Sequence, residues 1–80
     1  MMEMKEVVSS NILKIGFEDV TLHLGVVFKK NPNKMYIFHP VEPTTYKKLM
    51  EAESVGKFFN ANIKDNKRYS VHTEDVVAND

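Results

Sequence analysis

A two-layer α+β domain is what this sequence predicts: a three-stranded antiparallel β-meander followed by two short α-helices packed on one sheet face. Three observations lead there. Apolar and polar residues alternate in runs between Ile12 and Phe38, the period of half-buried strands. Turn-forming residues break those runs at Glu18-Asp19 and Asn31-Pro32-Asn33. Beyond Pro43 the apolar spacing changes to i, i+3, i+4, the period of a helix that buries one side. A chain of 80 residues builds a single core. Helices that follow the strands must therefore fold back over them.

Residues 1–7 show no periodicity and read as a disordered terminus, ahead of a single domain over 8–71 and a flexible acidic tail over 72–80. In the first strand Leu13, Ile15 and Phe17 alternate with Ile12, Lys14 and Gly16, odd positions inward. In the second, Leu22, Leu24, Val26 and Phe28 form the inward face. A two-residue turn at Glu18-Asp19 pairs Phe17 with Val20, Ile15 with Leu22 and Leu13 with Leu24, which keeps the core faces in phase. Met35 to His39 makes the third strand, ended by Pro40.

The connection around Pro32-Asn33 decides what the third strand shows to solvent. An even loop pairs Phe28 with Ile37 and Lys29 with Tyr36, and sends Met35 and Ile37 to the core. Tyr36 and Phe38 then lie on the open face beside Ile12, Lys14, His23, Val27 and Lys29. A three-residue loop reverses the two faces. The even loop is expected, because it leaves the lysines outside and Ile37 inside.

Pro43 suits the first position of a helix, where its missing N–H costs nothing, and Tyr46, Leu49 and Met50 form its apolar stripe. Ser54 reads as the N-cap of a second helix with Val55, Phe58, Phe59 and Ile63 inward and Asp65-Asn66-Lys67 at its end. Gly56 in its first turn lowers helix propensity by about 1 kcal/mol against Ala, which points to close approach of another group. Arg68-Tyr69-Ser70-Val71 either adds a short edge strand or lies along the surface.

The sequence holds no cysteine, which excludes disulfides, thiol catalysis and Cys-ligated zinc within it. No apolar run reaches membrane-spanning length, and a soluble, cytoplasmic protein is expected. The formal net charge of zero conceals a basic middle: nine Lys/Arg against four acids over residues 27–68, with acidic excess at both ends. Such a patch can steer an anion whatever the total charge.

The residues offer two candidate surfaces and no catalytic one. Tyr36 and Phe38, flanked by Lys14, Lys29 and Lys34, have the makings of a stacking platform for single-stranded nucleic acid, rings on bases and cations on phosphates. Burial of the same rings in the core is the competing reading. Ser54-Val55-Gly56-Lys57, with Asn60, Lys64 and Arg68, could present free amides and cations to a phosphate but lacks the spacing of a nucleotide-hydrolysing loop, and a cap with a packing glycine explains it as well. Lys57, Lys64, Lys67 and Arg68 extend the basic surface. His23, His39 and His72 sit on separate elements with no i, i+4 spacing, so no metal site is expected. His23 is expected on the open face, and His39 follows the core parity. No serine has a nucleophile-elbow context, and neither an enzyme nor a cofactor is expected.

Taken in order, Val8-Ser9-Ser10, Ile15-Gly16-Phe17, Val27-Phe28, Tyr36-Ile37-Phe38, Val41-Glu42-Pro43, Tyr46, Leu49, Ala52-Glu53-Ser54-Val55-Gly56-Lys57-Phe58-Phe59-Asn60, Ile63 and Tyr69 resemble the KTSC domain. That family is named for its place at the C-terminus of some lysyl-tRNA synthetases, and it also occurs as stand-alone bacterial and phage proteins. Its central Tyr-x-Tyr is Tyr36-Ile37-Phe38 here, so the second hydroxyl is absent while a stacking ring remains. The resemblance implies no particular reaction, and its synthetase context points toward RNA. The expected function is a non-enzymatic module that binds single-stranded RNA or DNA through Tyr36, Phe38, Lys14, Lys29 and Lys34, with Lys57, Lys64 and Arg68 as secondary contacts. The alternative is a protein–protein module or viral inhibitor docking the same aromatic face on a host protein. A monomer is expected, and a homodimer burying that face is a third reading.

Overall fold

The computed structural model describes residues 2–76. Five strands form one sheet in the order β1-β2-β3-β4-β5, every neighbouring pair antiparallel. They are β1 Met4–Glu6, β2 Ile12–Glu18, β3 His23–Phe28, β4 Asn31–His39 and, after helices α1 Pro43–Glu51 and α2 Val55–Asn62, β5 Ser70–Asp75. The α+β layering stands as expected, but two edge strands enlarge the meander from three strands to five.

Both added strands come from segments without apolar alternation. Residues expected to be disordered within 1–7 supply β1, paired Met4 to Gly16 and Glu6 to Lys14. Part of the expected tail, 72–75, extends the short edge strand into β5, all six of whose residues are exposed. Residues 77–80 of that tail lie outside the described part. An edge strand needs a ladder partner more than a buried face, so its hydrophobic signal is weak.

The β2–β3 turn is longer than expected. Glu18 pairs with His23, so the connection runs from Asp19 to Leu22, and Phe17 meets Leu24 while Ile15 meets Val26. Leu22 is a turn residue rather than a strand residue, with φ 63°. Its N–H donates to the Glu18 carbonyl at 2.8 Å, and its carbonyl accepts from Val41 N–H at 2.8 Å. The slip is even, so Ile15, Leu24 and Val26 still reach the core. A β-bulge at Leu13 changes the parity before it: Ile12, expected outside, is fully buried, and Leu13 is half-buried.

The β3–β4 connection overturns the expected faces. Phe28 pairs with Asn31 around a two-residue turn at Lys29-Lys30, whereas Val27 pairs with Met35, leaving Pro32-Asn33-Lys34 as extra residues on β4. Pro32 has no ladder donor, which suits it to an irregularity. The displacement is odd. Tyr36 therefore opposes Val26, Phe38 opposes Leu24, and both aromatics turn toward the helices. Met35, Ile37 and His39 take the outer face. The chain leaves β4 through a cis His39–Pro40 peptide.

The helices behave largely as their periodicity predicts. Leu49 is buried, Tyr46 and Met50 pack beside it, and the Tyr46 ring stacks on Phe17 at 4.7 Å. Ser54 caps α2, its Oγ accepting from Lys57 N–H at 3.3 Å. Phe59, fully buried, meets Phe28 and Phe38 edge to face at 5.6 and 5.4 Å. A Cβ on Gly56 would stand 2.8 Å from Asn11 Oδ1 and 3.2 Å from Ser9 Oγ. The close approach expected there is thus to the loop before β2, joining two stretches far apart in sequence.

The outer face carries a second, smaller apolar layer. Gly16 and Gly25 pair across β2 and β3, and their missing side chains leave room for Met2, Met4 and Met35. Val27 and Ile37 on this face are 0% and 3% exposed. Residues 2–4 lie where an open binding surface was expected.

Candidate ligand-binding cleft

The aromatic residues singled out from the sequence are brought together inside a cleft between the sheet and α2, not on an open sheet. The cleft holds ≈ 570 Å³ and is lined by Asn11, Phe28, Lys30, Tyr36, Phe38, Phe59, Asn60, Lys64, Asp65 and Val71. That volume falls within the range of small-molecule sites. The lining comes from the loop before β2, the β3–β4 hairpin, α2 with its C-terminal extension, and the edge strand β5.

Four rings make its apolar part. Tyr36 and Phe28 meet edge to face at 5.4 Å, Phe28 meets Phe59 at 5.6 Å, and Phe59 meets Phe38 at 5.4 Å. Edge-to-face contact is the arrangement that ring quadrupoles favour, and it holds each ring against its neighbour. Phe38 and Phe59 belong to the core, at 4% and 0% exposed, while Phe28 and Tyr36 are half-buried. These two leave ring surface available to a ligand.

The polar lining mixes cations with hydrogen-bonding groups. Lys30 and Lys64 are exposed, and neither has an ion-pair partner among the described residues. Asn60 on α2 and Lys64, just beyond the end of that helix, both line the cleft. Asn11 is held by its turn: Ser9 Oγ donates to Asn11 Oδ1 at 2.9 Å and accepts from the Asn11 and Ile12 N–H groups at 3.3 and 3.1 Å. The NH₂ of Asn11 remains as a donor, and the Asp65 carboxylate is an acceptor in the same lining.

The other expected contacts scatter. Lys14 lies across the sheet from the rings, opposite Val27 on the outer face. Lys29 is exposed in the hairpin turn, its N–H donating to the Asn11 carbonyl at 2.9 Å. Lys34 pairs with Asp75 on β5 at 3.2 Å. Lys57 is exposed in the first turn of α2, whose cap already occupies its own N–H. Arg68 lies 3.9 Å from Glu42 and lines a separate depression of ≈ 270 Å³ with Lys48, Asn62 and Asn66. Of the eight expected contacts, Tyr36, Phe38 and Lys64 line the cleft.

Sequence reasoning missed Lys30 and Asn11 as site residues. Asn11 and Lys30 reach the cleft only through tertiary packing, which periodicity does not report.

Comparison with known proteins agrees with the fold. The family model of the KTSC domain matches residues 8–69. A crystal structure of a KTSC domain protein from Yersinia pestis superposes with a TM-score of 0.79 at 26% identity, covering 96% of this chain and 100% of that one. Among curated proteins no match is found. No helix among the described residues is long and apolar enough to cross a membrane.

Proposed function

This chain belongs to the KTSC domain family, and from that premise we propose that it is a non-catalytic binding module whose cleft takes a nucleotide unit of single-stranded RNA. One observation carries the reading: half-buried Tyr36 and Phe28 offer ring surface in a cleft that also holds Lys30 and Lys64. A base and its phosphate need that combination. Rings stack on any base at about 1–3 kcal/mol each, and the lysines neutralise phosphate. Asn11, Asn60 and Asp65 provide donors and acceptors for base edges.

The test is a titration of a short mixed-sequence RNA onto the ¹⁵N-labelled full chain at two salt concentrations. Amide shifts are expected at Asn11, Lys30, Tyr36, Asn60 and Lys64. With two phosphates neutralised, log K should fall against log salt with a slope of about −1.4. Tyr36→Ala should weaken binding by about 1–3 kcal/mol, while Lys14→Ala, on the other face, should leave it unchanged. No shifts, or shifts confined to the outer face around Lys14 and Val27, would sink the proposal. Binding of a peptide with little response to salt would point to a protein partner instead.

A further inference from the structure

We propose that His23, His39 and His72 form a transition-metal site on the outer face of the sheet, with His23 and His39 as its primary chelate. The three belong to β3, β4 and β5. The odd displacement in the β3–β4 hairpin turns His39 outward. His72, opposite Ile37 in the β4–β5 ladder, shares that face. The His23 and His39 rings lie 4.9 Å apart, centre to centre, at 68°, and the His72 ring lies 6.3 Å from that of His23.

These separations can be compared with what one ion requires. With metal–nitrogen bonds of ~2.0–2.1 Å, two imidazoles on one ion have ring centres roughly 4.5 Å apart at a right angle and roughly 5.2 Å at the tetrahedral angle. The 4.9 Å of His23 and His39 falls between the two. The 6.3 Å of His72 exceeds the larger by about 1 Å, within reach of a side-chain rotation at an exposed position. Among the described residues no three His, Cys, Asp or Glu donors already converge on a point. The pair therefore binds first and His72 closes on the ion by rotating.

The surroundings favour a divalent cation. Glu18 opposes His23 in the β2–β3 ladder, and Glu74 Oε2 lies 3.4 Å from His72 Nε2. Thr21 Oγ1 donates to Glu18 Oε1 at 2.9 Å, which helps fix that carboxylate beside His23. The Glu74 carboxylate can orient the His72 imidazole as an outer-shell partner does. Lys14, a cation on the same face, is opposite Val27, away from His23 in the ladder. Neutral imidazole suits zinc, nickel and copper, and protons compete for the same nitrogens, so affinity falls on acidification. An ion held by all three rings would tie the edge strand β5 to β3 across β4.

The experiment is a titration of the full chain with ZnCl₂ and, separately, CuCl₂. One equivalent of zinc should raise the melting temperature and slow amide exchange in β5. In His39→Gln the dissociation constant should rise by at least the roughly tenfold that loss of an outer-shell partner already costs. The copper-bound wild type should show two or three nitrogen ligands by electron paramagnetic resonance, and that reading does not depend on a variant folding. No thermal shift in the wild type would overturn the site. So would a shift unchanged in His39→Gln, or copper bound through fewer than two nitrogens.

Discussion

Leu22 shows how one residue can hold a register. It sits at φ 63°, where a bulky L side chain crowds its own backbone, yet both its N–H and its carbonyl are hydrogen-bonded. Those bonds tie the β2–β3 turn to Val41, just beyond β4, and over-determine the strained position. Leu22→Ile keeps the volume but adds a β-branch, which the left-handed region tolerates least. It should cost about 1–3 kcal/mol, read as a lower urea midpoint with an unchanged slope. A neutral effect would mean that this turn relaxes freely. Phe59 is the opposite kind of residue, unstrained and fully buried among other rings. Phe59→Ala should cost about 3–5 kcal/mol. Little loss in the same denaturation measurement would show that the core refills the space.

Among the elements, β1 depends on a glycine of its neighbour β2, and Met2, just before it, packs over a glycine of β3. A Cβ on Gly16 would collide with the Met4 sulfur and stand 2.8 Å from the Glu3 carbonyl oxygen. Main chain cannot swing aside as a side chain can, so Gly16→Ala should lift β1 off β2. At Gly25 the close atoms are the sulfurs of Met2 and Met35, at 2.7 and 2.8 Å. Methionine is unbranched and adaptable, so Gly25→Ala should be milder. Overpacking of the Gly16 kind costs about 1–3 kcal/mol, and amide protection in Met4–Glu6 should disappear with it. Equal effects at the two glycines would contradict this account. The same contrast explains Gly56, whose absent Cβ lets the Ser9–Asn11 turn approach α2 and carry Asn11 to the cleft.

For the molecule as a whole, stability should be graded across the sheet. β3 is central and has four consecutive buried residues, Leu24 to Val27, whereas β5 is an edge with every residue exposed. Local opening follows burial and contact density. Native-state hydrogen exchange should therefore be slowest in Leu24–Val27 and fastest among the strands in β5. Equal protection of β5 and β3 would show that the sheet opens only as a unit. The gradient bears on function, because Val71 of β5 lines the cleft while His72, its neighbour, faces the other side. The strand expected to exchange fastest is thus shared by both proposed sites.

The sequence by itself determined the α+β layering, the alternation that makes β2, β3 and β4, the stripe of α1, the Ser54 cap and the resemblance to the KTSC domain. All of these are written in local spacing, where period and turn chemistry act over a few residues. It also placed Ile15, Leu24 and Val26 in the core despite a mistaken turn, because an even slip preserves the face. Tertiary structure decided the rest. An odd displacement at Pro32-Asn33-Lys34 turned Tyr36 and Phe38 inward and His39 outward, and a bulge at Leu13 buried Ile12. Alternation says which residues share a face but not which face meets the helices. That depends on the parity of a connection, and a single residue in a bulge reverses it.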